Sequence, residues 1–272
     1  MLPLRPTAVA GIFYPDAPTA LARAVDDLLA EAPGSDAPAP KALIAPHAGY
    51  VYSGPTAAAA YARLAPGRDT IERVVLLGPS HRVPFRGLAL TEAQGYASPL
   101  GPVAIDHAWA DRLRALPYAG TLEDAHLPEH ALEVHLPFLH RMLTRFTLVP
   151  VVCGQVSVAQ MAAALAELWG GPETLIVVSS DLSHYLPYDQ ARALDDATAQ
   201  TIEALDAEAL GPREACGHIP VAGLLALARA HGGRLERLDL RSSGDTAGSR
   251  ERVVGYGAWA LAPLSLSPQP RP

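Results

Sequence analysis

Long apolar runs are missing from this 272-residue chain. None approaches the roughly 20 residues needed to cross a bilayer, so no membrane span is expected. The N-terminus MLPLRPTAVAGIFYP lacks the charged start, apolar stretch and small-residue cleavage site of a secretory leader. These absences predict a cytoplasmic protein. Cysteine is scarce: Cys153 and Cys216 are the only two, too few for a disulfide framework and compatible with reduced thiols. Basic charge is in deficit, with 21 Lys and Arg against 28 Asp and Glu and no Lys/Arg-rich run. A net charge of -7 leaves no surplus for a phosphate backbone, which argues against nucleic acid as a partner. There is also no P-loop, no G-x-G-x-x-G fingerprint and no G-x-S-x-G elbow, which removes the common nucleotide-binding and serine-hydrolase classes.

What is present reads as ordinary globular protein, 49% hydrophobic and 18% charged. The stretch APGSDAPAP, residues 32 to 40, is short enough to be a connection, and nothing else resembles a linker. One domain over 1–263 is therefore expected, with a proline-rich disordered tail over 264–272. Leu21, Val25, Leu28 and Leu29 recur at helical spacing and predict a helix from Pro18 to Glu31. Apolar runs at 41–45, 73–78, 147–154 and 174–180 read as buried strands. They alternate with helical stretches at about 54–65, 107–116, 129–143, 157–169, 188–208 and 219–231. That alternation predicts an α/β fold with a mostly parallel sheet covered on both faces. The runs 234–243 and 252–261, separated by GDTAGSRE, predict an antiparallel hairpin that makes the sheet mixed.

In open α/β sheets, ligands gather beyond the carboxyl ends of the strands, where loops leave the core and converge. Three strands deliver chemistry there: Pro46-His47 after the first, Ser80-His81 after the second, and the segment Ser179 to Tyr185, with Asp181 and His184, after the last. Neutral imidazole is the commonest metal ligand, and two from different strand ends need few further donors to hold a first-row ion. Cys216, ahead of a helix beginning near Ile219, is a third donor, its thiolate favoured by the helix N-terminus. Each residue alone has a plainer reading: loop packing for a histidine, a helix cap for Asp181, core packing for a cysteine. Cys153 ends a strand on the same edge and is read as buried packing. The run PEHALEVHLPFLH, 128–140, lacks H-E-x-x-H; it is read as an amphipathic helix that brings Glu129 or His130 to the rim of the site. Tyr50 and Tyr52 are pocket-lining or packing residues, and His107, His126, His218 and His231 have no motif context.

Arg5-Pro6 through Ala10-Gly11-Ile12-Phe13-Tyr14-Pro15, PHAGYVYSG at 46–54, GPSH at 78–81, EHALEVHLPFL at 129–139, SSDLSHY at 179–185 and CGHIPV at 216–221 follow one another as in the Memo family, which this chain closely resembles. Bacterial and archaeal members of that family are called the B protein of the AmmeMemoRadiSam system. The resemblance implies an AMMECR1-type protein and a radical SAM protein as partners. It also implies a fold similar to the class III extradiol dioxygenases, whose ferrous iron sits between two histidines and a carboxylate. His47 and His81 match the family's metal-binding histidines, and Cys216 matches the cysteine that replaces the carboxylate. Asp181 and His184 match further site residues, His184 the acid/base histidine. A soft thiolate for a hard carboxylate shifts preference toward copper and also suits iron or zinc, so the fold does not carry ring cleavage with it. The first expectation is a redox-active mononuclear metal protein holding ferrous iron or copper and activating oxygen. The alternatives are a partner-binding module that uses the same pocket for a small molecule or peptide, and a zinc-dependent hydrolase.

Overall fold

Residues 3–264 are described by the computed structural model. Along the chain they form α1 (Pro18–Glu31), β1 (Ala42–Ala45), α2 (Tyr50–Tyr61), β2 (Arg73–Pro79), the short strands β3 (Leu88–Leu90), β4 (Gly95–Tyr96) and β5 (Val103–Ala104), α3 (His107–Arg114) and β6 (Ala119–Thr121). Next come the one-turn α4 (Glu123–His126), α5 (Leu136–Met142), β7 (Thr147–Cys153), α6 (Val158–Glu167), β8 (Thr174–Ser179), β9 (His184–Leu186) and α7 (Tyr188–Glu203). The chain closes with α8 (His218–Ala230), β10 (Leu235–Ser242) and β11 (Val253–Leu261).

The four central strands are apolar along nearly their whole length because both of their faces are covered. In β1, Ala42 and Ile44 face one core layer with Met161, Leu165 and Leu224, while Leu43 and Ala45 face the other with Leu21, Val25 and Phe138. The main sheet runs β10-β11-β1-β8-β2-β7-β3-β6, with β9 paired to β11. Strands β1, β8, β2 and β7 are mutually parallel, so their carboxyl ends share one edge. The β10–β11 hairpin is antiparallel as expected, and the sheet is mixed. Among the described residues no helix is long and apolar enough to cross a membrane.

Local chemistry sets the helix ends. Pro18 starts α1, where its missing N–H costs nothing, and Ala32 leaves it extended because Pro33 follows. Ser157 and Gln160 form a reciprocal capping box on α6. Two helices differ from their sequence reading. The second begins at Tyr50 and not near 54, with Pro55 inside it: the Tyr50 hydroxyl donates to the Val134 carbonyl at 2.7 Å and its N–H to the Phe13 carbonyl at 2.8 Å, which anchors the first turn. The stretch 129–143 is not one helix. Residues 129–132 are irregular, Glu133–His135 form a 3₁₀ turn, and α5 begins only at Leu136. The short strands β3 to β6 and β9 carry too few residues to show a period in the sequence. Of the tail expected from 264 onward, Leu264 packs on the core, and its carbonyl lies 3.4 Å from the Trp169 indole nitrogen; the rest lies outside the described residues.

The segment that breaks helix 129–143 is held from the N-terminus. Glu133 is fully buried, and its carboxylate accepts from Ala8 N at 2.6 Å, Val9 N at 3.0 Å and the Tyr14 hydroxyl at 2.6 Å, while the Arg5 guanidinium pairs with it. Arg5 also donates to the carbonyls of His126 and Glu129. Cutting one partner from a buried pair strands the other charge, so Arg5→Ala is expected to lower stability by about 3–5 kcal/mol. Urea denaturation at neutral pH measures it, and a midpoint equal to wild type would contradict the assignment of this pair as a buried anchor.

Candidate metal centre

His47 follows β1, His81 follows β2, and Ser179 to Asp181 continue β8. Because these strands are parallel neighbours, the three ends meet. Cys216 arrives from the N-terminal end of α8. Gly217 makes that approach possible: a Cβ there would stand 2.4 Å from the Ser179 carbonyl oxygen. The donor atoms of His47, His81 and Cys216 lie within 4.8 Å of one another, and His47 Nε2 is 3.4 Å from Cys216 Sγ. First-row metal bonds of about 2.0–2.3 Å place two donors on one ion roughly 3.5 Å apart, a spacing that His47 Nε2 and Cys216 Sγ meet, with a His81 donor close by. Asp181 sits behind it. One carboxylate oxygen accepts His47 N–H at 2.8 Å and the other lies 3.9 Å from His47 Nε2.

Each imidazole is gripped from its far nitrogen. His81 Nδ1 is 2.8 Å from Glu129 Oε1, and its backbone N–H donates to Oε2 at 2.6 Å. Glu129 also accepts from the N–H groups of His130 and Ala131, both at 3.0 Å. Burial acts to raise this carboxyl, but the donors from His81 and the peptide N–H groups outweigh it and hold it below its ordinary value. Glu129, although close to His81 and His130, has its oxygens occupied, and its chemistry is that of an orienting partner, not a ligand. His47 Nδ1 is 2.6 Å from the Ser179 hydroxyl. Both histidines thus point Nε2 toward the shared space. His130 completes a ring of imidazoles, stacked on His81 at 4.8 Å and edge-on to His47 at 5.5 Å, with its buried Nδ1 3.3 Å from Glu129 Oε1.

Burial keeps the imidazoles of His47, His130 and His135 neutral. Burial first, then the neighbouring histidines, drives His47 well below the ordinary imidazole value. Burial also lowers His130 to about 4 and His135 to about 3. Asp181 is pushed up to about 6 by burial, against the donor from His47. Cys216 corrects the sequence reading. The helix N-terminus predicts a favoured thiolate, yet burial and the adjacent Asp181 carboxylate raise the thiol well above its ordinary value. The free protein therefore holds Cys216 as a thiol, with Asp181 N–H 3.3 Å from the sulfur.

The remaining expected residues separate cleanly. His184 is half-buried at the start of β9, near enough that its charge bears on both His47 and Asp181. The next residue, Tyr185, has a left-handed backbone (φ 61°), uncommon outside glycine, and projects to solvent over Arg252. Tyr50 is packing, while Tyr52 is partly exposed. Cys153 is buried, its thiol pushed up to about 12 by burial, and packs in the core. His126 is structural, bonded to the Tyr96 hydroxyl and the Ala89 carbonyl. The sequence reading missed Ser179, His135 and Glu133 as supports of the site. Their signal was the density of Glu and His in 129–135, which a helical reading scattered over different faces.

A family model described as Memo-like protein matches residues 5–260. A MEMO1 family protein of Aquifex aeolicus is 36% identical over 264 residues, covering 93% of this chain and 97% of that protein. One from Methanothermobacter thermautotrophicus is 35% identical over 274 residues, covering 93% and 98%. A third, from Sulfolobus acidocaldarius, is 32% identical over 278 residues, covering 93% and 97%.

The buried neutral imidazoles make the metal-free protein acid-labile. His47, His126, His130 and His135 all have lowered values in the folded state, so between about pH 6.5 and 4 the unfolded chain binds protons that the fold refuses, and stability is lost on acidification. Asp181 and Asp195, both raised to about 6 by burial, act oppositely, gaining protons in the fold over the same window. The imidazoles outnumber them, so stability is lost as the pH falls, by roughly 3 kcal/mol per pH unit at most between pH 6 and 5. Denaturant midpoints at pH 7 and pH 5 measure this; an equal or higher midpoint at pH 5 would show that these imidazoles are not neutral in the fold.

Proposed function

The chain belongs to the Memo-like family, and from that premise we propose that it is a mononuclear metal-binding protein that holds ferrous iron or copper through His47, His81 and Cys216. The observation that carries this reading is the donor set itself: two imidazoles oriented by far-side partners and one thiol, within 4.8 Å of one another. Such partners are what metal-ligating histidines use to fix ring and tautomer. A redox-active ion bound there would supply electrons to an oxidant such as dioxygen.

The protein's own groups do the rest. His47 is buried and His81 is exposed, so the trio spans from the floor of the site to its mouth. Asp181 fixes the His47 backbone and, with a value near 6, can hold or release a proton beside the donors. His184, near enough to act electrostatically on Asp181, is the candidate acid/base group on this reading. A cavity of about 390 Å³ lined by Ser80, Phe85, Arg86 and Cys153 begins one residue from His81 and has the size of a small-molecule site.

A second reading, a partner-binding module, is favoured by the exposed side chains beside the site. Ile12, Val51 and Tyr185 are 77%, 66% and 62% exposed and flank Phe13, Tyr50 and His184. An AMMECR1-type protein, a radical SAM protein or a peptide are the partners proposed on this reading. Oxygen consumption that needs added metal and vanishes in Cys216→Ser supports the redox reading; pocket-dependent partner binding without turnover supports the module. Stoichiometric zinc with ester or amide hydrolysis would favour the third reading, a zinc hydrolase.

The first test is elemental analysis after anaerobic purification of wild type, His81→Ala and Cys216→Ser. Near-stoichiometric iron or copper in wild type and its loss in both variants is expected; a wild type that takes up no metal after anaerobic reconstitution would sink the reading. A pH series adds a sign. Because the raised Cys216 thiol must lose its proton to ligate, uptake is expected to release about one proton, with affinity rising about tenfold per pH unit between pH 7 and 8. Calorimetry in buffers of different ionisation enthalpy counts that proton, and a count of zero would remove Cys216 from the ligand set.

A further inference from the structure

A neutral imidazole carries its single proton on either nitrogen, and only the Nδ1–H form leaves Nε2 as an electron pair facing Cys216 and Asp181. For His47 that choice is decided in the core behind the site. The Ser179 hydroxyl lies 2.6 Å from His47 Nδ1, 2.7 Å from His135 Nε2 and 2.6 Å from the Ala131 carbonyl oxygen. The hydroxyl has one proton, and of these three neighbours only the carbonyl is restricted to accepting. Donating to Ala131 leaves two lone pairs on the Ser179 oxygen, and both imidazole nitrogens must then donate to it. With its proton on Nε2, His135 presents a bare Nδ1, and the Tyr61 hydroxyl, 2.8 Å away, donates to it. His47, Ser179, His135 and Tyr61 are all essentially inaccessible to solvent, so water cannot repair a mismatched arrangement. A single assignment of protons satisfies the whole chain of groups.

We propose that Ser179 is a positioning residue which, backed by His135 and Tyr61, locks His47 in the Nδ1–H tautomer and so keeps Nε2 available as a ligand. The inference rests on the reading of His47 as a metal ligand, but the tautomer exists without any metal and is tested without one. Tyr61, three groups away from His47 Nε2, is part of the lock although it touches no donor of the site.

The experiment has two independent readouts. Long-range ¹H–¹⁵N correlation spectra of the metal-free protein, with the His47 ring assigned by its absence in His47→Gln, report the tautomer directly. Cobalt(II) titration against a competing chelator reports affinity. Wild type is expected to show His47 protonated on Nδ1 alone. Ser179→Ala is expected to mix the two tautomers and weaken cobalt(II) binding about 10–100-fold, as loss of a ligand's orienting partner does. Ser179→Thr, which keeps the hydroxyl, is expected to restore both. Tyr61→Phe keeps the ring in place and removes only the distal donor; it is expected to shift the tautomer in the same direction by a smaller amount, which covers the case of a Ser179→Ala that does not fold. A wild-type His47 protonated on Nε2 overturns the proposal, as does a Ser179→Ala or Tyr61→Phe protein with an unchanged tautomer. Cobalt(II) uptake by wild type bears on the ligand reading, and the tautomer bears on Ser179, so the two can fail separately.

Discussion

The buried carboxylate of Glu133 is the contact on which the site depends. It gathers the N-terminal segment through Arg5, Ala8, Val9 and Tyr14, and Arg5 in turn reaches the carbonyls of His126 and Glu129. The segment 129–135 is thereby fixed in an irregular path that a continuous helix would not allow. From that path, Glu129 orients His81 and His135 reaches Ser179 behind His47. Both candidate ligand histidines are thus set by one segment, and that segment is set by one ion pair. The N-terminal residues from Arg5 to Tyr14 therefore act at a distance from the donors, by shaping the backbone that orients them.

Around that frame, burial opposes charge on the donor groups. Histidines are kept unprotonated by burial, Cys216 is kept as a thiol, and Asp181 is pushed toward its acid form. His47, His130, His135 and Cys216, each costly as an isolated buried charge, are thereby held in their uncharged forms, whereas Asp181 at about 6 is brought within reach of neutral pH. A cation reverses this preference, because it stabilises the thiolate and the carboxylate that burial disfavours. The desolvation from which acid sensitivity is expected would also couple an ion at the proposed site to the protons of Cys216 and Asp181.

The convergence of His47, His81 and Asp181 was legible because parallel strands end on one edge, and each of the three follows a strand visible as an apolar run. The first helix was legible from Leu21 and Val25 and from the prolines at its borders. What could not be read was the support. His135 and Glu129 sit in a stretch whose apolar spacing suits a helix, yet the Glu133 ion pair with Arg5, 128 residues away in sequence, overrides local propensity. The state of Cys216 was misread for a related reason: a helix dipole is a local cue, whereas burial and the Asp181 carboxylate are products of tertiary packing. Ser179 was visible within SSDLSHY, but a serine between two histidines is recognisable only once β8 has been laid beside β1.

The sulfur and imidazole that stand 3.4 Å apart are separated by 169 residues of chain. Between His47 and Cys216 the polypeptide must complete β2, β7 and β8 in register before the two can meet. An unfolded chain has no short loop with which to chelate an ion, in contrast to domains whose ligands lie a few residues apart and whose folding an ion can nucleate. An ion held on the proposed donor set would therefore need the finished sheet and would add its free energy chiefly to the native state. Such an ion would mark only those molecules in which β1, β2 and β8 have already come together.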